Sequence, residues 1–160
     1  MNEAYLLIGG NIGNRELALR TACQWIEQEA GQILQCSSLY DTEAWGKTDQ
    51  PSFLNQCLKV KTPYPPEDLL RILLAIEQKM GRQRTAKLAP RNIDIDILLY
   101  NDCILTTPEL VIPHPEMARR RFVLTPLAEI APNHMHPALR QTILALLHSC
   151  PDLLTAKKLE

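Results

Sequence analysis

From Ile93 to Tyr100 the chain reads Ile-Asp-Ile-Asp-Ile-Leu-Leu-Tyr, an alternation that suits a half-buried β-strand and little else. A side-chain period of two puts Ile93, Ile95, Ile97 and Leu99 on one face and Asp94 and Asp96 together on the other. Such a strand needs partners, and three more segments offer them. Tyr5 to Ile8 is an apolar run entering Gly9-Gly10, read as a buried strand followed by a tight turn. Gln32 to Tyr40 reads as a second strand, and Phe53 to Lys61, where Leu58 and Val60 alternate with Lys59 and Lys61, as a third.

Two helices fit between these strands. Ala18, Ala22, Trp25, Ile26 and Glu29 recur at helical spacing after a candidate cap at Asn14 and before Gly31. Leu69, Leu70, Leu73, Leu74, Ile76 and Met80 form a clearer apolar stripe, opened by Pro65-Pro66 and closed by Gly81. Thr42 to Ser52 is a polar loop. Further on, Thr125-Pro126-Leu127 suggests a short capped helix, and Leu139, Ile143, Leu146 and Leu147 a final amphipathic one. The order is βαββαβ, which predicts an α+β, ferredoxin-like core: an antiparallel sheet with helices packed on one face and extra C-terminal helices, in a single domain over 1–160.

Charge narrows the function. Lys and Arg total 17 against 18 Asp and Glu, for a net charge of -1, yet Arg82, Arg84, Lys87 and Arg91 fall within ten residues that contain no acid. Arg119-Arg120-Arg121 make a second basic stretch. A nucleic-acid groove would spread its charge more widely, so these stretches read as local anion-binding capacity. Five scattered cysteines without a Cys-x-x-Cys pair argue against a disulfide framework or a zinc site. The N-terminus lacks a basic, then apolar, leader and no run is long enough for a membrane span, so the cytoplasm is the expected address, with no membrane or nucleic-acid partner.

Asp94 and Asp96, entered from a basic loop, lie about 7 Å apart along the backbone of one strand face, close enough to hold hard cations such as Mg2+. The same pair also suits an exposed face salt-bridged to Arg82 or Arg91. Carboxylates that bind Mg2+ beside arginines that grip phosphate oxygens point to phosphoryl chemistry. Gly9-Gly10-Asn11-Ile12-Gly13 lacks the spacing of a dinucleotide or P-loop cradle. His114, between Pro113 and Pro115, can serve a phosphate or nucleotide, or simply the fold. Phe53 and Phe122 can stack a planar heterocycle or pack in the core.

These residues occur in a recognisable order. Arg82, Arg91-x-x-Asp94-x-Asp96, Pro113-His114-Pro115 and Phe122-Val-Leu-x-Pro-Leu closely resemble the 6-hydroxymethyl-7,8-dihydropterin pyrophosphokinase family. Ile8-Gly-Gly-Asn11, Asp49-Gln-Pro-Ser-Phe-Leu-Asn55, Glu77-x-x-Met80-Gly81-Arg82 and Ala128-Glu-Ile-Ala-Pro132 look like its other landmarks, so the resemblance covers nearly the whole chain. It implies the ferredoxin-like fold and transfer of the terminal diphosphate of ATP to the pterin's hydroxymethyl group in folate synthesis, releasing AMP. By position, Asp94 and Asp96 would hold two Mg2+ ions, and Arg82 and Arg91 would neutralise the migrating diphosphate. Glu77, Arg84, Lys87, His114 and Arg120 would serve ATP. Phe53 and Phe122 would sandwich the pterin, Asn55 would read its amide edge, and Thr42 and Trp45 would complete the wall. The chain departs from the family in Ala89, where glycine is usual, in Glu43-Ala44 near the pterin, and in having no tryptophan within 83–90.

Two other functions fit parts of this pattern. A Mg2+-dependent phosphohydrolase or nuclease would use the same carboxylates without a pterin, and a non-catalytic ferredoxin-like module would not need them. ATP and the pterin are the expected partners, the assembly a monomer or weak homodimer. At this length no fused aldolase or pteroate synthase domain is expected.

Overall fold

The alternating segments become strands, and their pairing sets the frame. In the computed structural model, which describes residues 1–42, 51–81 and 93–159, the elements begin with β1 (Asn2–Gly10), α1 (Arg15–Glu29), β2 (Gln32–Cys36), β3 (Tyr40–Thr42) and β4 (Phe53–Thr62). Then come α2 (Pro66–Lys79), β5 (Asp94–Tyr100), a small hairpin of β6 (Leu105–Thr106) and β7 (Val111–Ile112), and a 3-10 turn (Met117–Arg119). Helices α3 (Arg121–Ile130) and α4 (Ile143–His148) and the short strand β8 (Lys157–Lys158) complete the fold.

The main sheet runs β5-β1-β4-β3-β8, with β2 also paired to β4, and each of these pairings is antiparallel. This is the strand order of a βαββαβ core, as the sequence predicts. The predicted strand Gln32 to Tyr40 is interrupted, however. Ser37 bonds Cys57 through its N–H at 2.8 Å while Tyr40 is paired with Asn55, so this segment takes three steps where β4 takes two. An extra residue cannot stay in the ladder, and the strand breaks. Gly9 and Gly10 also differ from expectation: they are the last residues of β1, not a turn after it.

Helices α1 and α2 cover one face of the sheet. Leu19, Ala22, Ile26, Leu69, Leu73 and Ile76 pack there against Ala4, Leu6, Ile8, Leu58 and Val60. The Asn14 side chain caps α1 by accepting from Leu17 N at 3.1 Å, as its residue type foretells. Gly81, with a φ of 83°, closes α2 in a conformation that costs glycine little. The C-terminal helices occupy the opposite face, where Val123, Leu124, Leu127, Ile143 and Leu146 meet Tyr5, Leu7, Cys57, Leu98 and Leu99. The sheet therefore has a core on each side: the two helices of the βαββαβ unit share one face, as the sequence predicts, and the extra C-terminal helices take the other.

The predicted short helix at Thr125 is longer and starts earlier. Its cap is tertiary: Asp152 Oδ2 accepts from Arg121 N at 2.9 Å, a contact that no local pattern reveals. Pro126 lies inside α3. The last helix is shorter than its stripe suggests, for Thr142 caps it and Leu139 stays outside, 47% exposed.

Strand β5 departs from strict alternation. Its register to β1 slips between Leu6↔Ile97 and Tyr5↔Leu99, leaving Leu98 as the extra residue of a bulge. Ile93, Ile95 and Ile97 enter the α1/α2 core, but Leu98 and Leu99 both enter the α3/α4 core. Leu99 thus shares the carboxylate face, contrary to the expected grouping with the isoleucines.

Candidate active site

Residues paired directly across antiparallel strands present their side chains on one face. Thr42 pairs with Phe53; Tyr40 with Asn55, Asn55 with Gly9, and Gly9 with Asp94; Leu7 pairs with both Cys57 and Asp96. These three rows place Thr42, Phe53, Asn55, Asp94 and Asp96 on the face that α3 and α4 cover further along. The sheet thereby brings together residues as far apart in sequence as Thr42 and Asp96.

Gly9 makes the middle row possible. A Cβ there would stand 2.0 Å from Asn55 Oδ1, so the amide lies over a backbone without a side chain. Asn55 is 4% exposed and Thr42 is 2% exposed, yet among the described residues Asn55 Nδ2 and Thr42 Oγ1 have no hydrogen-bond partner. Leaving such groups unpaired costs about 1–3 kcal/mol each, an expense a ligand's polar edge would remove. Phe53 and Phe122 are both half-buried, Phe122 in the first turn of α3 with the Arg120 guanidinium 5.9 Å from its ring centroid.

Two contacts hold the approach to Phe53. Asn11, itself buried, donates from Nδ2 to Pro51 O at 3.1 Å. Arg15, the first residue of α1, donates to both carboxylate oxygens of Asp41 at 3.2 and 3.3 Å and to Ser52 O and Oγ at 3.0 Å. Burial pushes the Asp41 carboxyl up, but hydrogen bonds from Ser52 and Arg15 and the Arg15 charge outweigh it and hold it below the usual carboxylate range. Neither Arg15 nor Asp41 stands out in the sequence, since each looks like an ordinary surface charge.

Asp94 and Asp96 are half-buried on β5, one edge of the sheet. Between them, Ile95 N donates to Glu77 Oε2 at 2.7 Å. Glu77 is only 2% exposed, so its carboxylate reaches from α2 to fix the strand that carries the pair.

His114 N donates to the carbonyl of the bulged Leu98 at 3.0 Å, which ties the Pro113–Pro115 segment to β5. His114 Nδ1 accepts from Glu116 N at 3.2 Å, and this leaves the proton of the neutral ring on Nε2. Burial, then the Arg120 charge, holds its pKa below the usual histidine value, so the ring is a neutral donor at pH 7. The basic triplet is less available than its composition suggests. Arg119 pairs with Glu116, and Arg121 donates to Asp152 O and Cys150 O at 3.1 and 3.2 Å. Arg120, beside both Phe122 and His114, is the member the structure brings to the site.

Arg82, Arg84, Lys87, Arg91 and Trp45 lie outside the described residues. Among the described residues no group of three or more His, Cys, Asp and Glu side chains could jointly hold a metal. A two-carboxylate donor set of this kind fits Mg2+, which keeps water and substrate phosphate as its other ligands. No helix among the described residues is long and apolar enough to cross a membrane.

A family model described as 7,8-dihydro-6-hydroxymethylpterin-pyrophosphokinase matches residues 5–132. The 2-amino-4-hydroxy-6-hydroxymethyldihydropteridine pyrophosphokinase of Bacillus subtilis is 44% identical over 81% of this chain and 78% of its own length. That of Aquifex aeolicus is 41% identical over 89% of both chains. The folic acid synthesis protein fol1 of Schizosaccharomyces pombe is 42% identical over 93% of this chain, which spans only 20% of that protein's length. Among solved structures, a Plasmodium falciparum HPPK-DHPS triple mutant superposes with a TM-score of 0.76 at 21% identity, covering 92% of this chain and 43% of that one. That likeness is one of fold.

Proposed function

The chain belongs to the 7,8-dihydro-6-hydroxymethylpterin-pyrophosphokinase family, and on that premise we propose that it transfers the terminal diphosphate of ATP to the hydroxymethyl group of 6-hydroxymethyl-7,8-dihydropterin, releasing AMP, as a step of folate biosynthesis. The observation that carries this reading is a pair of buried polar atoms without a hydrogen-bond partner among the described residues: Asn55 Nδ2, in the strand row that ends at Asp94, and Thr42 Oγ1, on the residue paired with Phe53.

In this reading the pterin lies between Phe53 and Phe122, and its polar edge meets Asn55 and Thr42. Asn55 supplies an amide and Thr42 a hydroxyl, so the slot favours a planar ring with both donors and acceptors on one edge. The row from Asn55 through Gly9 to Asp94 then directs the hydroxymethyl group toward the carboxylates. His114 donates from Nε2 and Arg120 adds charge on the nucleotide side, joined by Arg82, Arg84, Lys87 and Arg91. Glu77 holds β5, and Trp45 would extend the pterin wall. Two Mg2+ ions held by Asp94 and Asp96 would neutralise and orient the phosphates.

The hydroxymethyl oxygen forms a bond to the β-phosphorus as the bond from that phosphorus to the α,β-bridging oxygen breaks. The diphosphate moves as a unit, AMP leaves, and the hydroxyl proton passes to solvent. Every group invoked is carried by one chain, so a monomer or weak homodimer suffices, working in the cytoplasm where ATP is made available.

Incubation with ATP, Mg2+ and the pterin, with nucleotides resolved by chromatography, tests the proposal. AMP formed only when pterin is present, in equal amount to the pterin diphosphate, is the expected result. ADP, or phosphate released without pterin, would instead indicate a kinase or hydrolase.

A further inference from the structure

Glu129 lies in the landmark Ala128-Glu-Ile-Ala-Pro132, to which the reaction as set out gives no role. It occupies the last turn of α3, seven residues after Phe122, so the two side chains leave the same helix face about 10 Å apart along the axis. Its carboxylate crosses to the other wall of the site. Oε1 accepts from the Tyr40 hydroxyl at 2.6 Å, and Oε2 accepts from Ser38 N and Ser38 Oγ, both at 3.0 Å. Tyr40 is 6% exposed and pairs in register with Asn55, two residues before Thr42, which pairs with Phe53.

This polar clamp adds to the apolar packing of α3 on the sheet by tying the helix directly to β3. Among the described residues, the α3/α4 core draws on β1, β4 and β5, and neither apolar core includes a β3 residue. Burial pushes the Tyr40 hydroxyl well above its usual range, reinforced by the Glu129 bond. Burial opposes ionisation of Glu129, but its bonds from Tyr40 and Ser38 and the nearby Lys158 charge hold its carboxyl below the usual range. The clamp is thus a carboxylate accepting from neutral donors, the shorter and stronger kind of hydrogen bond.

We infer that Glu129, through Tyr40 and Ser38, is a positioning residue that fixes α3 against β3 and so sets the width of the slot between Phe122 and Phe53. This rests on the reading of that slot as the pterin site. Glu129 and Tyr40 touch neither substrate; they hold the two walls in place.

The test compares Tyr40→Phe and Glu129→Gln with the unmodified protein. It measures the Kd of the pterin with a non-hydrolysable ATP analogue present, the Kd of the analogue alone, and Tm. We expect the pterin Kd to rise roughly tenfold, with analogue affinity within about twofold, because the clamp acts on one wall pair only. Ile26→Val, on the far side of the sheet, supplies a variant that lowers Tm without touching the clamp. Pterin affinity unchanged in both clamp variants, or lowered as much by Ile26→Val at a matched loss of Tm, would overturn the inference. Should Tyr40→Phe fail to fold, Ser38→Ala, which removes one hydroxyl donor, gives the same comparison. If the unmodified protein binds no pterin, the reading of the site falls and the clamp's role with it. If it binds and converts pterin while both variants match it, only the clamp's role is lost.

Discussion

Gly9 and Asn55 share one space, and neither can change alone. In Gly9→Ala the new methyl must displace the Asn55 amide, so pterin affinity should fall by at least about tenfold, or about 1.4 kcal/mol, while binding of an ATP analogue changes little. Calorimetric titration with each ligand checks this, and equal losses for both would show that the substitution had damaged the sheet instead. His114 makes a second prediction. Its folded pKa lies below 6.5, the ordinary value, so the unfolded chain binds more protons in that interval. Above 6.5 the group costs the fold nothing; as pH falls through 6.5 toward the folded midpoint, stability is lost. NMR titration should place the midpoint below 6.5, and His114→Asn, which keeps an acceptor for Glu116 N, should flatten the stability profile there.

The elements differ in how openly the sequence declares them. Arg15 joins the start of α1 to β3 through Asp41, whose folded pKa is depressed. The stabilisation from Asp41 is present above the ordinary carboxylate value and is lost as pH falls through the folded midpoint. Asp41→Asn should therefore be less stable than the unmodified protein at neutral pH and converge with it in acid, as urea titrations across that range would reveal. Strands β1, β4 and β5 and helices α1 and α2 are legible because apolar period and end signals agree locally. The division of β2 from β3 is not legible, since an extra residue after Ser37 has no signature in a run of small polar side chains. Nor is the start of α3, whose cap comes from Asp152, 31 residues away. The site divides similarly. Asp94, Asp96, Asn55, Thr42, Phe53 and Phe122 are legible by their types and order, whereas the Tyr40–Glu129 bond spans 89 residues and each partner alone looks ordinary.

At the scale of the molecule, one sheet carries two cores with different duties. The α1/α2 side provides a foundation; the α3/α4 side aims Phe122. Leu73 and Leu124 are each fully buried, one on either side, so Leu73→Ala and Leu124→Ala should each cost about 2–5 kcal/mol of stability. Only Leu124→Ala should also weaken pterin binding, because it loosens the helix that carries one wall of the slot. Denaturant titration paired with pterin titration would separate the two effects, and matching losses of pterin affinity would refute this division. The bulge at Leu98 has its own consequence for such changes. It divides β5 into two stretches that are out of phase with each other. Deletion of Leu98 itself would leave both stretches in register with β1, whereas a deletion between Asp94 and Ile97 would exchange carboxylates for isoleucines. The strand can thus lose its bulged residue and keep the carboxylates facing the site, a loss it cannot bear at the residues before it.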